Sequence, residues 1–556
     1  MYRPKRDQGS LFTATTLLPD EKMRRLERTW AWAFRTKALP LIDEGAFSHL
    51  YHKNNGRPNL AIQTLIGLLV IKEMFDLTDD ETLFNLEFHL AYQVALALDP
   101  HEAHTCQKTL HNFRKRLIEC DADELLFKSV TDKIIQALGV NVGKQRLDST
   151  HIVSNIARLT RLGLFCETIR VFLAALKSEV PEKFQTIPEA VRKRYLKDDG
   201  AATRFGDAKS DESRRRLGVC ARDVYRLVDR FRGCEVVRKL EAYSLLARLL
   251  EDQCEITKTP KSGGDGDADI SEPGVPVEVK EPKKVSPESL QSPHDPDATY
   301  SGHKGKGYEV QIAETHGNGD LPEIITHVEL TRSCDSDASA TLPTLDALAA
   351  REIQPAELVA DTTYCSTDNV IAAGGKGTQL VGPVPGTAGD TMPEDYLGKG
   401  DFIVDPKAEK PSTCVGGRTA TETVRNEASG ILRVYFDAAG CAKCQFADMC
   451  AARLLKDGTR VFTTTVREAT LEHRRSYEKG EEFKERYAPR AGIEATNSEL
   501  KRRHGLGRLR VRRQPRVRLA VYLKAVACNV KRMVTHLVDT LLAAETMAEV
   551  AAAKAN

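Results

Sequence analysis

Gln145-Arg-Leu-Asp-Ser-Thr-His-Ile-Val153 is where the character of this chain changes. Upstream, residues 15–135 carry apolar residues at helical spacing and few strand-like alternations. The run itself turns β-branched and holds one acid, Asp148, in its middle. It reads as a strand, and a strand interior is a costly place for an unpaired carboxylate.

Outward from that strand, residues 156–256 return to helical periodicity, with Arg222, Arg226 and Arg230 opposite Cys220, Val224 and Phe231. Residues 257–297 hold seven prolines and four glycines with scarcely any large apolar residue, which predicts a flexible linker. Two strands follow, one marked by the alternation of Tyr308, Val310 and Ile312, the other over Ile324–Leu330. Ser336–Arg351 reads as a helix, Leu358-Val-Ala-Asp361 as a buried strand, and Ser366 caps a helix that Gly374-Gly375 ends. Gln379–Pro383 is a further short strand. With the helical insertion removed, the order strand, two strands, helix, strand, helix, strand is that of an RNase H-like core in an α/β protein. The expected division is an all-α N-terminal domain for DNA binding or assembly (1–140), the catalytic core (141–505), and a basic segment with a C-terminal helix (506–556). Two insertions interrupt the core: the helical one (156–256) with its linker (257–297), and a cysteine-bearing one (387–466).

The 556 residues, 41% hydrophobic and 29% charged, suit a soluble protein of several domains. Leu60–Ile71, the longest nearly apolar run, is too short to cross a bilayer, and the N-terminus lacks a secretory signal, so no membrane partner and a cytoplasmic location are expected. Thirteen scattered cysteines argue for reduced thiols. The net charge of +2 conceals an asymmetry: Lys501–Val538 contains twelve Lys or Arg and no acid. Such a block fits a polyanion, and Arg508, Arg510, Arg512 and Arg513 are its candidate DNA contacts.

Phosphodiester chemistry commonly needs converging acids that hold divalent ions. Asp148 and Asp361 are candidates from strands; a turn-forming or capping aspartate is the plainer reading of either one alone. Tyr487-Ala-Pro-Arg490-Ala-Gly-Ile-Glu494, with Lys501 beyond, is more specific. Pro489 can open a helix, and the spacing puts Arg490, Glu494 and Lys501 on one helical face. A solvated ladder of ion pairs would share that spacing. Glu499 lies about 140° around the helix from Glu494 and is discounted as a ligand. Cys414, Cys441, Cys444 and Cys450 supply four thiols in a poorly apolar segment, two of them with the spacing of a structural zinc site. Gly302-His-Lys-Gly305-Lys306 lacks the gap of a phosphate loop, so no nucleotide cofactor is expected.

Tyr487, Arg490, Glu494 and Lys501 resemble the tyrosine-arginine-glutamate-lysine signature of bacterial insertion-sequence transposases that use two aspartates and a glutamate. Arg146-Leu-Asp148-Ser-Thr-His and Val359-Ala-Asp361-Thr-Thr-Tyr resemble their two aspartate strands. Gly56-Arg-Pro, with the helical run ending at Thr109-Leu-His-Asn-Phe-Arg-Lys-Arg116, resembles their N-terminal domain. The resemblance implies that Asp148, Asp361 and Glu494 are catalytic and bind Mg²⁺ or Mn²⁺, and that Arg490 and Lys501, supported by Tyr487, grip DNA. It also implies cleavage at the ends of an insertion sequence and strand transfer into target DNA, by a homo-oligomer acting on double-stranded chromosomal or plasmid DNA in a bacterial cytoplasm. The alternatives are a metal-dependent nuclease without strand transfer, and a DNA-binding protein whose acids are inert.

Overall fold

The computed structural model describes residues 1–2, 15–16, 18–55, 59–157, 159–196, 210–256, 275–385 and 399–555. Gly56-Arg-Pro58 and residues 257–274 and 387–398 of the expected linker and insertion therefore lie outside the described residues.

Four N-terminal helices pack toward the sheet and the C-terminal helix: α1 (Ile62–Met74), α2 (Asp79–Phe88), α3 (Gln107–Glu119) and α4 (Ala122–Leu138). The apolar run predicted from composition is α1, buried on nearly every side. Thr78 and Glu81 form a capping box at the start of α2. One continuous core joins these helices to the sheet and the C-terminal helix, through residues such as Leu69, Phe127, Ile312 and Val526.

The central sheet has six strands: β1 (Lys144–Ile152), β2 (Thr299–Ser301), β3 (Gly305–Thr315), β4 (Ile325–Arg332), β5 (Glu357–Ala360) and β6 (Gln379–Val381). Its main order is β4-β3-β1-β5-β6, with β2 against the start of β3. β3 runs antiparallel to β1 and β4, whereas β5 is parallel to β1 and to β6. Sequence periodicity supplies the main strands but neither β2 nor this register.

Alternation divides the sheet's side chains between two cores. Leu147, Ala313, Leu358 and Ala360 face α8 (Thr341–Ala349) and α9 (Thr367–Gly375), and Ser366 caps α9 as expected. Tyr308, Val310 and Ile312 face the opposite way, toward α13 (Gln514–Ala555) and the N-terminal helices.

The helical insertion includes α5 (Arg161–Glu179), α6 (Ser210–Phe231) and α7 (Glu241–Gln253), packed around Phe165, Phe172, Val224, Phe231 and Leu246. The linker expectation needs correction over its described half. Val277–Val279 pairs with Cys254–Ile256, Leu290 is buried in the insertion's core, and Asp295 is fully buried. Polar side chains hide this fold from composition, because they are satisfied internally rather than by water. Asp295 accepts hydrogen bonds from Tyr308 Oη at 2.7 Å and the Arg513 amide at 2.9 Å. Asp297 accepts from the Gln514 amide at 3.1 Å, so these acids tie the start of α13 to β3.

Three helices follow the cysteine-bearing segment: α10 (Val466–Glu478), α11 (Glu481–Tyr487) and α12 (Gly492–Arg503). Breaks fall at Gly480 and at a 3₁₀ turn containing Pro489. Proline costs the helix a backbone donor, which explains the second break.

A buried ion pair joins the first and last parts of the chain. Lys524 Nζ of α13 lies 2.5 Å from Glu73 Oε2 of α1, and Lys72 lies 2.9 Å from its other oxygen. Burial alone would raise the Glu73 carboxyl, but the two lysines hold it below the usual carboxylate range. Glu73→Ala should therefore lower the unfolding free energy by about 3–5 kcal/mol, because Lys524 and Lys72 stay buried and lose the carboxylate they share. Urea denaturation measures this; an unchanged midpoint would show that the pair is not holding these helices together.

Candidate active site

Asp148 stands within β1, and the parallel pairing of β1 with β5 runs through Leu147 opposite Ala360. One residue further, Asp148 and Asp361 stand at the same level of the sheet. Asp361 Oδ1 accepts from the Thr363 amide at 2.9 Å, which shapes the turn that leaves the strand.

The third acid arrives from α12. Arg490 lies in the 3₁₀ turn rather than on the same helix as Glu494, a correction to the expected single face. The turn still brings them together: Arg490 Nη1 is 2.5 Å from Glu494 Oε1, and its Nη2 is 3.3 Å from Asp148 Oδ1. Asn497 Nδ2, one turn beyond Glu494, donates to Asp148 Oδ2 at 3.2 Å.

A close approach holds α12 in place. Arg146 donates from Nε to Glu314 at 2.8 Å and from Nη1 to the Pro489 carbonyl at 2.7 Å. A Cβ on Gly492 would lie 2.0 Å from Arg146 Nη1, so the first residue of α12 has no room for a side chain.

The electrostatics are one-sided. Burial pushes the Asp148 carboxyl up to about 6; the charges of Asp361 and Asp337 push the same way, against Arg490 and the Ser149 amide. Burial also raises the Tyr487 phenol, which stacks on Phe483 at 5.4 Å and senses Arg490, Asp361 and Asp148. Lys501, on α12, is within electrostatic reach of Glu309 and Asp148. Glu494 is largely exposed, with 65% of its side-chain surface open.

Sequence reasoning missed Asn497, Asp337 and Lys304. Lys304 Nζ lies 2.7 Å from Glu309 and 3.5 Å from Ser149 Oγ, beside Asp148 on β1. Asn497, three residues after Glu494, had a signal in the helical period; the others depend on register. Buried Asn497 Oδ1 and Arg490 Nε have no hydrogen-bond partner. An orphaned acceptor among crowded acids is an environment that a cation improves.

The basic segment divides. Arg510 pairs with Asp76 at 2.8 Å and Arg513 with Glu241 at 2.9 Å. Arg508 and Arg512 are exposed, without an acidic partner among the described residues. The basic cluster of α3 is also engaged internally: Arg114 forms a two-pronged pair with Asp79, and Arg116 lies over Tyr51 at 4.6 Å.

The cysteine segment forms its own four-stranded sheet with a core of Phe402, Leu432, Phe436 and Phe462. Cys414, Cys441, Cys444 and Cys450 line one pocket in it. The Gly417 amide donates to the Cys414 carbonyl at 2.9 Å, and the Cys444 amide to that of Cys441 at 3.2 Å. A Cβ on Gly416 would sit 3.1 Å from Cys444 Sγ and 3.7 Å from Cys414 Sγ. Two turns thus bring the thiols of Cys414 and Cys444 to the edge of a common space.

A family model described as "Transposase DDE domain" matches residues 413–534, and one described as "Transposase domain (DUF772)" matches residues 21–116. Both matches are to transposase domains, and together they support a DDE transposase. No curated protein and no solved structure matches it. The first match contains Glu494, Arg490, Lys501 and the four cysteines, whereas Asp148 and Asp361 precede it. Domains of these two kinds imply in general a DNA-processing enzyme of a mobile element that depends on divalent metal. Among the described residues, no helix is long and apolar enough to cross a membrane.

The raised Asp148 carboxyl has a sign that can be tested. The folded transposase binds that proton more tightly than the unfolded chain, so folding takes up a proton between roughly pH 4 and 6. Stability without metal therefore falls as pH rises through that window. At pH 7.5, metal-free Asp148→Asn should melt about 1–3 °C above wild type, and Mg²⁺ should raise the melting temperature of wild type more. A variant that melts lower, with the same response to Mg²⁺, would contradict this electrostatic account.

Proposed function

We propose that the transposase cleaves DNA at the ends of its insertion sequence and transfers the freed 3′ ends into target DNA. The observation that carries this reading is the convergence of its acids. Strand register sets Asp148 beside Asp361, and Arg490 contacts Asp148 and Glu494 together. Strand order β4-β3-β1-β5-β6, with two antiparallel and two parallel pairings around β1, supports an RNase H-like core.

Asp148, Asp361 and Glu494 would hold Mg²⁺ or Mn²⁺, which supplies activation of the attacking oxygen and stabilisation of the leaving one. Arg490 neutralises the acids before loading and is placed to turn toward a DNA phosphate afterwards. Asn497 orients the Asp148 carboxylate, and Tyr487 stiffens the turn that carries Arg490. Lys501 extends the cationic surface along α12. Arg508 and Arg512 add backbone affinity, and α1–α4 recognise the element's ends. Joining two ends calls for a homo-oligomer on DNA. The four cysteines would hold Zn²⁺ as a structural ion that replaces apolar core in their segment.

Cleavage of the element's own end DNA tests the reading. Glu494→Gln should lose Mg²⁺-dependent nicking by at least 100-fold while retaining DNA binding. Equal nicking by variant and wild type would remove Glu494 from the chemistry. Nicking without joined products would identify a nuclease, and binding without nicking an inert DNA-binding protein.

Salt dependence separates the arginines. Arg508→Ala and Arg512→Ala should each weaken DNA binding and reduce the magnitude of the slope of log K against log salt by about one. Arg513→Ala should change that slope less, because Glu241 already neutralises it. Equal slopes for wild type and all three variants would place the DNA elsewhere.

A further inference from the structure

Behind α12, on the side away from Asp148, three potential metal ligands of different chemistry meet. One ligand atom from each of Glu499, His504 and Cys528 lies within 4.8 Å of the others. Glu499 belongs to α12, His504 follows its last turn, and Cys528 belongs to α13. His504 and Cys528 are completely buried.

The histidine is already oriented. Its Nδ1 lies 2.8 Å from the Glu73 carbonyl, which can only accept, so Nδ1 carries the proton. Nε2 then presents a lone pair, and it is buried with no hydrogen-bond partner. The Glu499 carboxylate faces it at 4.0 Å from Oε1. That distance is too long for a hydrogen bond. It approaches the about 3.3–3.8 Å between donors on one tetrahedral ion. Glu499 Oε2 is held by Arg532 at 2.9 Å, which leaves Oε1 turned toward His504. An imidazole whose other nitrogen is fixed by a carbonyl is the usual support of a metal-bound histidine.

We propose that Glu499, His504 and Cys528 bind a zinc-class divalent ion that fastens the end of α12 to α13. Imidazole and sulfur donors favour zinc over Mg²⁺, so this ion differs in kind from that of the acid triad. On binding, Cys528 forms its sulfur–metal bond and releases its thiol proton to solvent. The resulting thiolate and carboxylate balance the ion's two charges, which suits a site bordered by Arg532 and Lys524. The ion is structural: it fixes the far side of the helix whose near side carries Glu494.

The test counts Zn²⁺ bound by the full-length transposase after chelation and reloading, alongside Cys528→Ala and Glu499→Gln. Wild type should hold one more equivalent of Zn²⁺ than folded Cys528→Ala. Loading with Co²⁺ should give a thiolate-to-cobalt absorption band that the variant partly loses, its remainder coming from the other cysteines. Wild-type stoichiometry and an unchanged band in folded Cys528→Ala would overturn the proposal. Should that variant fail to fold, Glu499→Gln decides: weaker Zn²⁺ retention supports the site, and unchanged retention overturns it. Nicking activity is not the readout, so failure here is distinguishable from failure of the triad.

Discussion

The carboxylate of Glu314 is fully buried in the middle of the sheet, and three elements depend on it. Arg146 reaches it from β1 at 2.8 Å, Thr496 from α12 at 2.6 Å, and Arg532 from α13 at 3.2 Å. A charge removed from water this completely is tolerable only when hydrogen bonds and cations surround it. Satisfying Glu314 therefore fixes where α12 can lie. Arg146 extends the constraint by holding the Pro489 carbonyl, so the turn with Arg490 is fixed to the strand with Asp148. The relative position of Asp148 and Arg490 thus derives from a buried ion cluster beside them.

That arrangement explains how a crowded acidic site can exist in a stable protein. Asp148, Asp361 and Asp337 repel one another, and Arg490 offsets only part of that repulsion. Rigid support from Glu314 on one side, and from apolar contacts of Leu147 and Ala360 on the other, keeps the acids from moving apart. A divalent cation bound there, as proposed, would recover free energy that the folded chain gave up. A side chain at Gly492 would have to push the Arg146 guanidinium out of its present position.

Much of this is legible in the sequence. Strand alternation at Tyr308–Ile312, the capping signals at Thr78 and Ser366, and the spacing around Glu494 report local structure, and local structure is what periodicity encodes. Asp337 and Lys304 are not legible, because their approach to Asp148 depends on pairing register and on a turn. The folded stretch before Asp297 escapes a compositional reading for a related reason: composition counts apolar residues, whereas Ser289, Ser292 and Asp295 are buried as hydrogen-bonded polar groups. Glu499 points away from Glu494, which discounts it as a third acid, and that same direction places it against His504 and Cys528.

The breaks in the tract from α10 to α12 have a geometric purpose. A straight helix of that length would project past the sheet, whereas the breaks at Gly480 and Pro489 wrap the chain around its edge. Arginines fasten each section: Arg474 donates to the Cys365 carbonyl at 2.7 Å and to the Gly382 carbonyl at 3.1 Å, beside the turn that succeeds Asp361. Arg486 donates to Glu357 at the start of β5 at 2.9 Å, and Arg146 takes the Pro489 carbonyl. Phe483 fills the space against Val359 and Val381. Each contact lies closer to Glu494 along the chain, so the position of the third acid accumulates from successive anchors.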